Sequence, residues 1–207
     1  MSKSLLRLIC LGGWLACANL AGAGQVTSQV ELQLGELVVD HDRSIAEITR
    51  LQGQDGSSAR YGLGLFLSHV EFESSVSGSP TRPGDVLVRT RIKTRPTLYI
   101  AREFAKGSCA YAVILDHERQ HYQFDLEAVR ALPAQAEGIA REAFAGTAPS
   151  EAALARAQAR FLERLRHVHD QRTFPRHARI DAPESYRRLG AACGGEIGRT
   201  LQGTLKR

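Results

Sequence analysis

His117-Glu118-Arg119-Gln120-His121 sets two imidazoles and a carboxylate at the HExxH spacing, directly after the apolar run Ala110 to Leu115. On a helix, residues four apart share a face, so His117 and His121 can each offer a ring nitrogen to one Zn²⁺ at about 2.1 Å. Glu118 then stands beside the open coordination position, where it can act as general base and take a proton from an attacking water. The chemistry this pattern suits is metal-assisted hydrolysis.

The flanking residues predict the helix that the motif needs. Ala110, Val113, Ile114, His117, His121, Phe124 and Ala128 recur at i, i+3, i+4 spacing, which turns both histidines toward the core. The run continues through Val129 and Leu132 to Pro133, a natural stop after five to six turns. The plainer alternative is a pair of core histidines satisfied by their neighbours.

A catalytic zinc takes a third protein ligand and keeps one position for water, so a further His, Glu or Asp must come from outside the motif. His169 falls on the apolar side of a later helix, four residues after Leu165, whereas His167 projects toward water with Glu163 and Arg164. Glu142 lies near Ile139 and Ala143, on what reads as the next helix. His169 and Glu142 are the leading candidates, with Asp170 and His177 behind them. Asp125 is placed to accept a hydrogen bond from a ligating imidazole. Tyr186 and Arg187 could approach a reacting oxyanion only if the C-terminal segment folds over the cleft. The run Asp40-His41-Asp42 reads as a turn after a strand.

The elements that would carry these residues change character along the chain. Val30 to Leu34, Val70 to Glu73 and Val86 to Ile92 alternate as half-buried strands do, and Thr97 to Ala101 reads as a further strand before the motif helix. In a peptidase such a strand can be the edge that pairs with an extended substrate backbone, although a core strand fits the residues equally. Gly53 to Ser58 and Ser74 to Gly84 read as turns. After Tyr111 the composition becomes helical. A short helix is expected over Ala134 to Phe144 and a long one from Ser150-Glu151 to about Asp170, with an irregular return segment over Arg172 to Arg207. The class is α+β, an N-terminal antiparallel sheet followed by a helical half.

Lys3 and Arg7, the apolar stretch Leu8 to Leu20 and Ala21-Gly22-Ala23 make a secretory signal peptide over residues 1–23, with residues 24–207 as a single domain. Cys17 offers a lipoprotein reading, but Trp14 three residues earlier is a poor lipobox position. Without the leader only Cys109 and Cys193 remain, and in an oxidising periplasmic or extracellular compartment they make one disulfide. Cys109 lacks the surroundings of a catalytic thiol. The formal charge of +5 falls to +3 once Lys3 and Arg7 are gone, and the arginines are dispersed, which argues against nucleic acid as partner. No later segment is apolar enough to span a bilayer.

The leader, Pro96 to Ala101, Gly107-Ser108-Cys109-Ala110-Tyr111, Asp116 to His121 and Asp170-Gln171-Arg172-Thr173 together resemble the predicted secreted zinc-dependent proteases of proteobacteria. The similarity covers about residues 95 to 180, and HExxH is its specific part. The resemblance implies a zincin-like fold and a periplasmic zinc peptidase with His117 and His121 as ligands and Glu118 as base. Where that group carries His-Gly shortly after Asp-x-x-Thr, this chain reads Phe174-Pro175-Arg176-His177-Ala178. The expected partner is a peptide or protein, including cell-wall peptide, where an amidase would use the same metal chemistry. The competing reading is a non-catalytic, disulfide-tied envelope protein whose zinc is structural or absent.

Overall fold

The computed structural model describes residues 24–53, 61–78, 82, 84–148 and 150–205. The leader reading, the Cys17 alternative and most of the turn expected over 53–58 lie outside them. Four strands, β1 (Val26–Leu34), β2 (Val38–Asp40), β3 (Gly64–Gly78) and β4 (Val86–Ile100), form one sheet. Four helices, α1 (Ile45–Leu51), α2 (Cys109–Phe144), α3 (Glu151–Ile180) and α4 (Pro183–Leu205), complete an α+β architecture.

The sheet is mixed rather than antiparallel. β3 pairs antiparallel with the whole of β4, from Gly64 opposite Ile100 to Gly78 opposite Val86, so the first five residues of the turn expected over Ser74 to Gly84 are strand. β1 and β2 lie parallel to β4 along its other side, in register up to Leu34 opposite Thr94 and again from Val38 opposite Thr97. Gly35 interrupts that edge, its N–H donating to Thr94 O. Pro96 falls opposite this gap, where its missing N–H leaves no ladder bond unmade. The strand expected over Thr97 to Ala101 is therefore the continuation of the central strand β4, and the sheet edge beside the helices belongs to β3.

Alternation decides the two faces. Val88 and Ile92 of β4, with Val30 and Leu32 of β1 and Val70, Phe72 and Val76 of β3, pack on Val129, Leu132, Ala136, Ala140, Phe161 and Leu165 of α2 and α3. The other face is open, and Glu31, Glu71 and Glu73 there pair with Arg91, Lys93 and Arg95. A second core at the start of α2 joins Ile45 and Ile48 of α1, Ile100, Phe104, Ala110 and Ile114 to Leu189 and Ile197 of α4.

Pro133 does not end the motif helix, nor does Pro175 end the next one. α2 runs 36 residues with Pro133 inside, and α3 runs 30 with Pro175 inside. A proline in mid-helix loses one backbone hydrogen bond and crowds the preceding turn, a cost of about 3 kcal/mol. Around Pro133 the buried residues Val129, Leu132, Ala136, Ile139 and Ala140 keep one face on the sheet and on α3, and that burial outweighs the local cost. The segment expected to be irregular holds the end of α3 and all of α4. Its break is confined to Ala192–Gly195, where Cys193 adopts φ 56° and Gly194 and Gly195 adopt φ 62° and 80°. Two successive glycines make that left-handed bend accessible. Cys109 and Cys193 form the disulfide, with Cα atoms 5.7 Å apart, and fasten α4 to the first turn of α2.

Candidate functional site

Ser108 starts the helix on which the site is built. Its Oγ accepts from the Tyr111 N–H as N-cap, after Gly107 turns the chain at φ 83°. From nine residues further on, His117, Glu118 and His121 face inward, with Glu118 and His121 only 6% and 7% exposed.

α3 returns antiparallel beside α2, and polar residues face each other at i+4 spacing on both helices. His117, His121 and Asp125 line one side, and His169, Thr173, His177 and Asp181 the other. His117 Nε2 lies 3.2 Å and His121 Nε2 3.1 Å from the same atom, Asp181 Oδ1. The three ligating atoms fall within 4.8 Å of one another, a group able to hold a metal ion. Donors about 2.1 Å from a tetrahedral ion sit roughly 3.4 Å apart, so this spacing is close to that of a zinc site. Two imidazoles and one carboxylate are also a donor set that catalytic zinc uses. Burial would raise the Asp181 pKa, but the hydrogen bonds with His117 and His121 outweigh it and hold the carboxyl far below the usual carboxylate range. For His117 burial works the other way, but the hydrogen bond to Asp181 and the charges of Glu118 and Asp181 raise its pKa.

His121 uses its other nitrogen as well, since His121 Nδ1 lies 2.6 Å from His177 Nδ1. The direction of this hydrogen bond depends on the tautomer; were His121 to give Nε2 to a metal, its proton would sit on Nδ1 and His177 would be the acceptor. Burial, and then the neighbouring His121, lower the His177 pKa, which agrees with a neutral acceptor ring. Asp125 does not orient His121. It accepts instead from His169 Nε2 at 3.0 Å, while His169 Nδ1 lies 3.2 Å from Asp170 Oδ1.

Glu118 is perturbed in the opposite direction from Asp181. Burial above all pushes its pKa up to about 7, against the opposing pull of His121 and His117 and, least, of the neighbouring Phe66 backbone. β3 reaches this close because residue 64 is glycine. A Cβ there would sit 2.7 Å from Glu118 Cγ and 2.8 Å from Glu118 Oε1.

The candidates for a third ligand are distributed as follows. His169 has both ring nitrogens engaged by carboxylates, and Asp170 is one of these two partners. His177 stands behind His121. Glu142 is exposed and borders another groove with Arg160 and Arg164. It cannot return to the motif, because 21 residues along an unbroken helix carry it about 31 Å away. Asp181, absent from the sequence candidates, is the carboxylate that joins His117 and His121. Its signal was the i+4 series 169, 173, 177, 181, which counts only if the helix continues through Pro175. The disulfide pairs the two cysteines expected, Cys109 and Cys193.

The site opens into a cleft of about 540 Å³. Gly64 to Val70 and Phe72 of β3 form one wall, and His169, Asp170, Thr173, Phe174 and His177 of α3 the other. Tyr186 of α4 stands at one end, its OH donating to Asp181 Oδ1 at 3.4 Å, whereas Arg187 does not line the cleft and pairs with Glu184. No described helix is long and apolar enough to cross a membrane. No protein-family model, curated protein or solved structure matches this chain.

Proposed function

We propose that this chain is a zinc-dependent peptidase of the periplasm or the extracellular space. The observation that carries the reading is the convergence of His117 Nε2 and His121 Nε2 on Asp181 Oδ1, beside a buried Glu118 and at the floor of an open cleft. Zinc, when bound, supplies a Lewis acid next to that carboxyl.

The protein's own residues account for the rest of the chemistry. Glu118, its pKa raised to about 7 chiefly by burial, is poised to take a proton from water and to return it to a leaving amine. His177 fixes the tautomer of His121, and Asp181 neutralises charge in the ligand set. The exposed edge of β3 supplies backbone donors and acceptors for an extended chain, the type of substrate that edge strands recognise. The Cys109–Cys193 bridge supports an oxidising compartment. The same chemistry would serve a cell-wall peptide as substrate.

Glu118→Gln tests the reading, because it keeps the shape of the side chain and removes the base. Peptide hydrolysis should fall by roughly 10² to 10⁴-fold with zinc content unchanged. Hydrolysis at the wild-type rate in that variant overturns the proposed role, and a zinc-loaded wild type with no activity leaves the site structural.

A further inference from the structure

The two motif histidines are supported unequally. His121 has His177 against its second ring nitrogen, with 2.6 Å between the Nδ1 atoms. His117 turns Nε2 to Asp181 at 3.2 Å, and its Nδ1 has no hydrogen-bond partner among the described residues. A ligating histidine ordinarily gives that second nitrogen to a carboxylate, a carbonyl or water, which fixes the ring and makes it a better ligand. The two nitrogens of an imidazole point to nearly opposite sides of the ring, so His117 Nδ1 is turned away from Asp181.

On that side lies a second pocket, of about 470 Å³, where α2, α3 and α4 meet. His117 lines it, and it shares no lining residue with the cleft. Val113, Ile180 and Leu189 give it apolar walls. Arg179 and Arg188 add two guanidinium forks and Ser185 a hydroxyl. Arg188 Nη2 donates to Ser185 Oγ at 3.4 Å, and neither arginine pairs with a carboxylate among the described residues. Asp116 is the one acid among the described residues that line the pocket. Its side chain is 75% exposed and lies 3.8 Å from Arg119, so the uncompensated charge is that of the two arginines.

Apolar walls with two guanidinium groups at hand suit an anion that carries a small apolar body. A planar guanidinium matches a carboxylate with two parallel hydrogen bonds. With Nε2 given to a metal, or with the ring charged, His117 Nδ1 carries a proton for the same acceptor. We propose that the pocket behind His117 binds an organic carboxylate, its oxygens held by Arg179 and Arg188 and accepting from His117 Nδ1–H. The occupant supports His117 from outside as His177 supports His121 from within, so carboxylate and zinc each strengthen the binding of the other. This coupling rests on the peptidase reading, whereas the carboxylate site does not. A small apolar acid and the C-terminus of a peptide present the same chemistry.

The test is an amide NMR titration of the metal-free protein with hexanoate. Val113, Gln120, Arg179, Ser185 and Leu189 should shift and Gly64 to Val70 should not, and hexanamide should shift neither set. Both arginines are exposed, so Arg179→Gln with Arg188→Gln leaves the fold intact and should weaken hexanoate about tenfold or more. In chelator competition, saturating hexanoate should tighten zinc about tenfold in the wild type and not in the double variant, and zinc should tighten hexanoate by the same factor. A blocked dipeptide with a free C-terminal carboxylate that binds more tightly than hexanoate assigns the pocket to a chain end, and weaker binding assigns it to a small acid. Equal binding of hexanamide, shifts confined to the cleft, or undiminished affinity in the double variant overturns the carboxylate site. Hexanoate binding with zinc affinity unaltered overturns the link through His117. A protein that takes up no zinc and still binds hexanoate in this pocket overturns the peptidase reading and leaves the carboxylate site.

Discussion

His121 and His177 meet edge to edge. Their Nδ1 atoms are 2.6 Å apart, their ring planes differ by 21° and their centroids are 4.8 Å apart, so a single proton fits between the two nitrogens. In HExxH sites the outer partner of a ligating histidine is ordinarily a carboxylate, a carbonyl or water. Here it is a neutral ring that can only accept if His121 donates. His177→Ala should weaken zinc binding by roughly 10 to 100-fold in a chelator competition, and His177→Asn, which returns an acceptor oxygen, should restore part of it. Equal affinity in wild type and His177→Ala would contradict the role.

Gly64 fixes the distance between β3 and Glu118. A methyl group there would meet Glu118 Cγ at 2.7 Å and Ile114 Cγ2 at 2.8 Å, both on the same helix. Gly64→Ala should therefore displace the base, lowering kcat more than zinc affinity, and should destabilise the fold by roughly 1 to 3 kcal/mol. An unchanged kcat would show that the close approach is incidental.

Glu118 also links stability to pH in the metal-free protein. Its folded pKa of about 7 exceeds the unfolded value of 4.5, so the folded state holds the proton more tightly. The stability this contributes is fully present below about pH 4.5 and is lost as pH rises through about 7. Denaturant titrations of metal-free wild type and Glu118→Gln should diverge by up to roughly 3 kcal/mol in favour of the variant between about pH 5 and about pH 9. Parallel pH profiles would mean that the carboxyl is not held in its protonated form.

The disulfide encloses a sequence separation of 84 residues that contains His117, Glu118, His121, His177 and Asp181 but not the β3 wall of the cleft. On the chain-entropy account a loop of that length contributes about 4 to 5 kcal/mol. Cys109→Ser with Cys193→Ser should lower stability in urea by an amount of that order. A loss below about 1 kcal/mol would indicate that the unfolded chain is already compact.

Local pattern made part of this legible in the sequence. The i, i+4 histidines, the apolar stripe around them and the pairing of two mature cysteines depend on residues close together or on simple elimination. Strand direction does not. β1 and β2 run parallel to β4 because α1 and the reversed strand β3 stand between them in the chain, and nothing in Val30 to Leu34 records it. Pro133 misled because it is a local stop overridden by packing against elements far from it in sequence. That misreading placed Glu142 on a returning helix, while the next helix, expected to end near Asp170, runs on through Pro175 to Ile180 and so reaches Asp181.

The most direct measurement is the zinc content and the metal X-ray absorption spectrum of wild type, Asp181→Ala and His169→Ala. The account predicts one zinc in the wild type, held by two imidazole nitrogens and a carboxylate with one position left to solvent. It predicts a loss of affinity of at least about tenfold in Asp181→Ala and none in His169→Ala. A wild type folded with zinc present that retains none, a coordination sphere closed by a fourth protein ligand, or full affinity without Asp181 would contradict it.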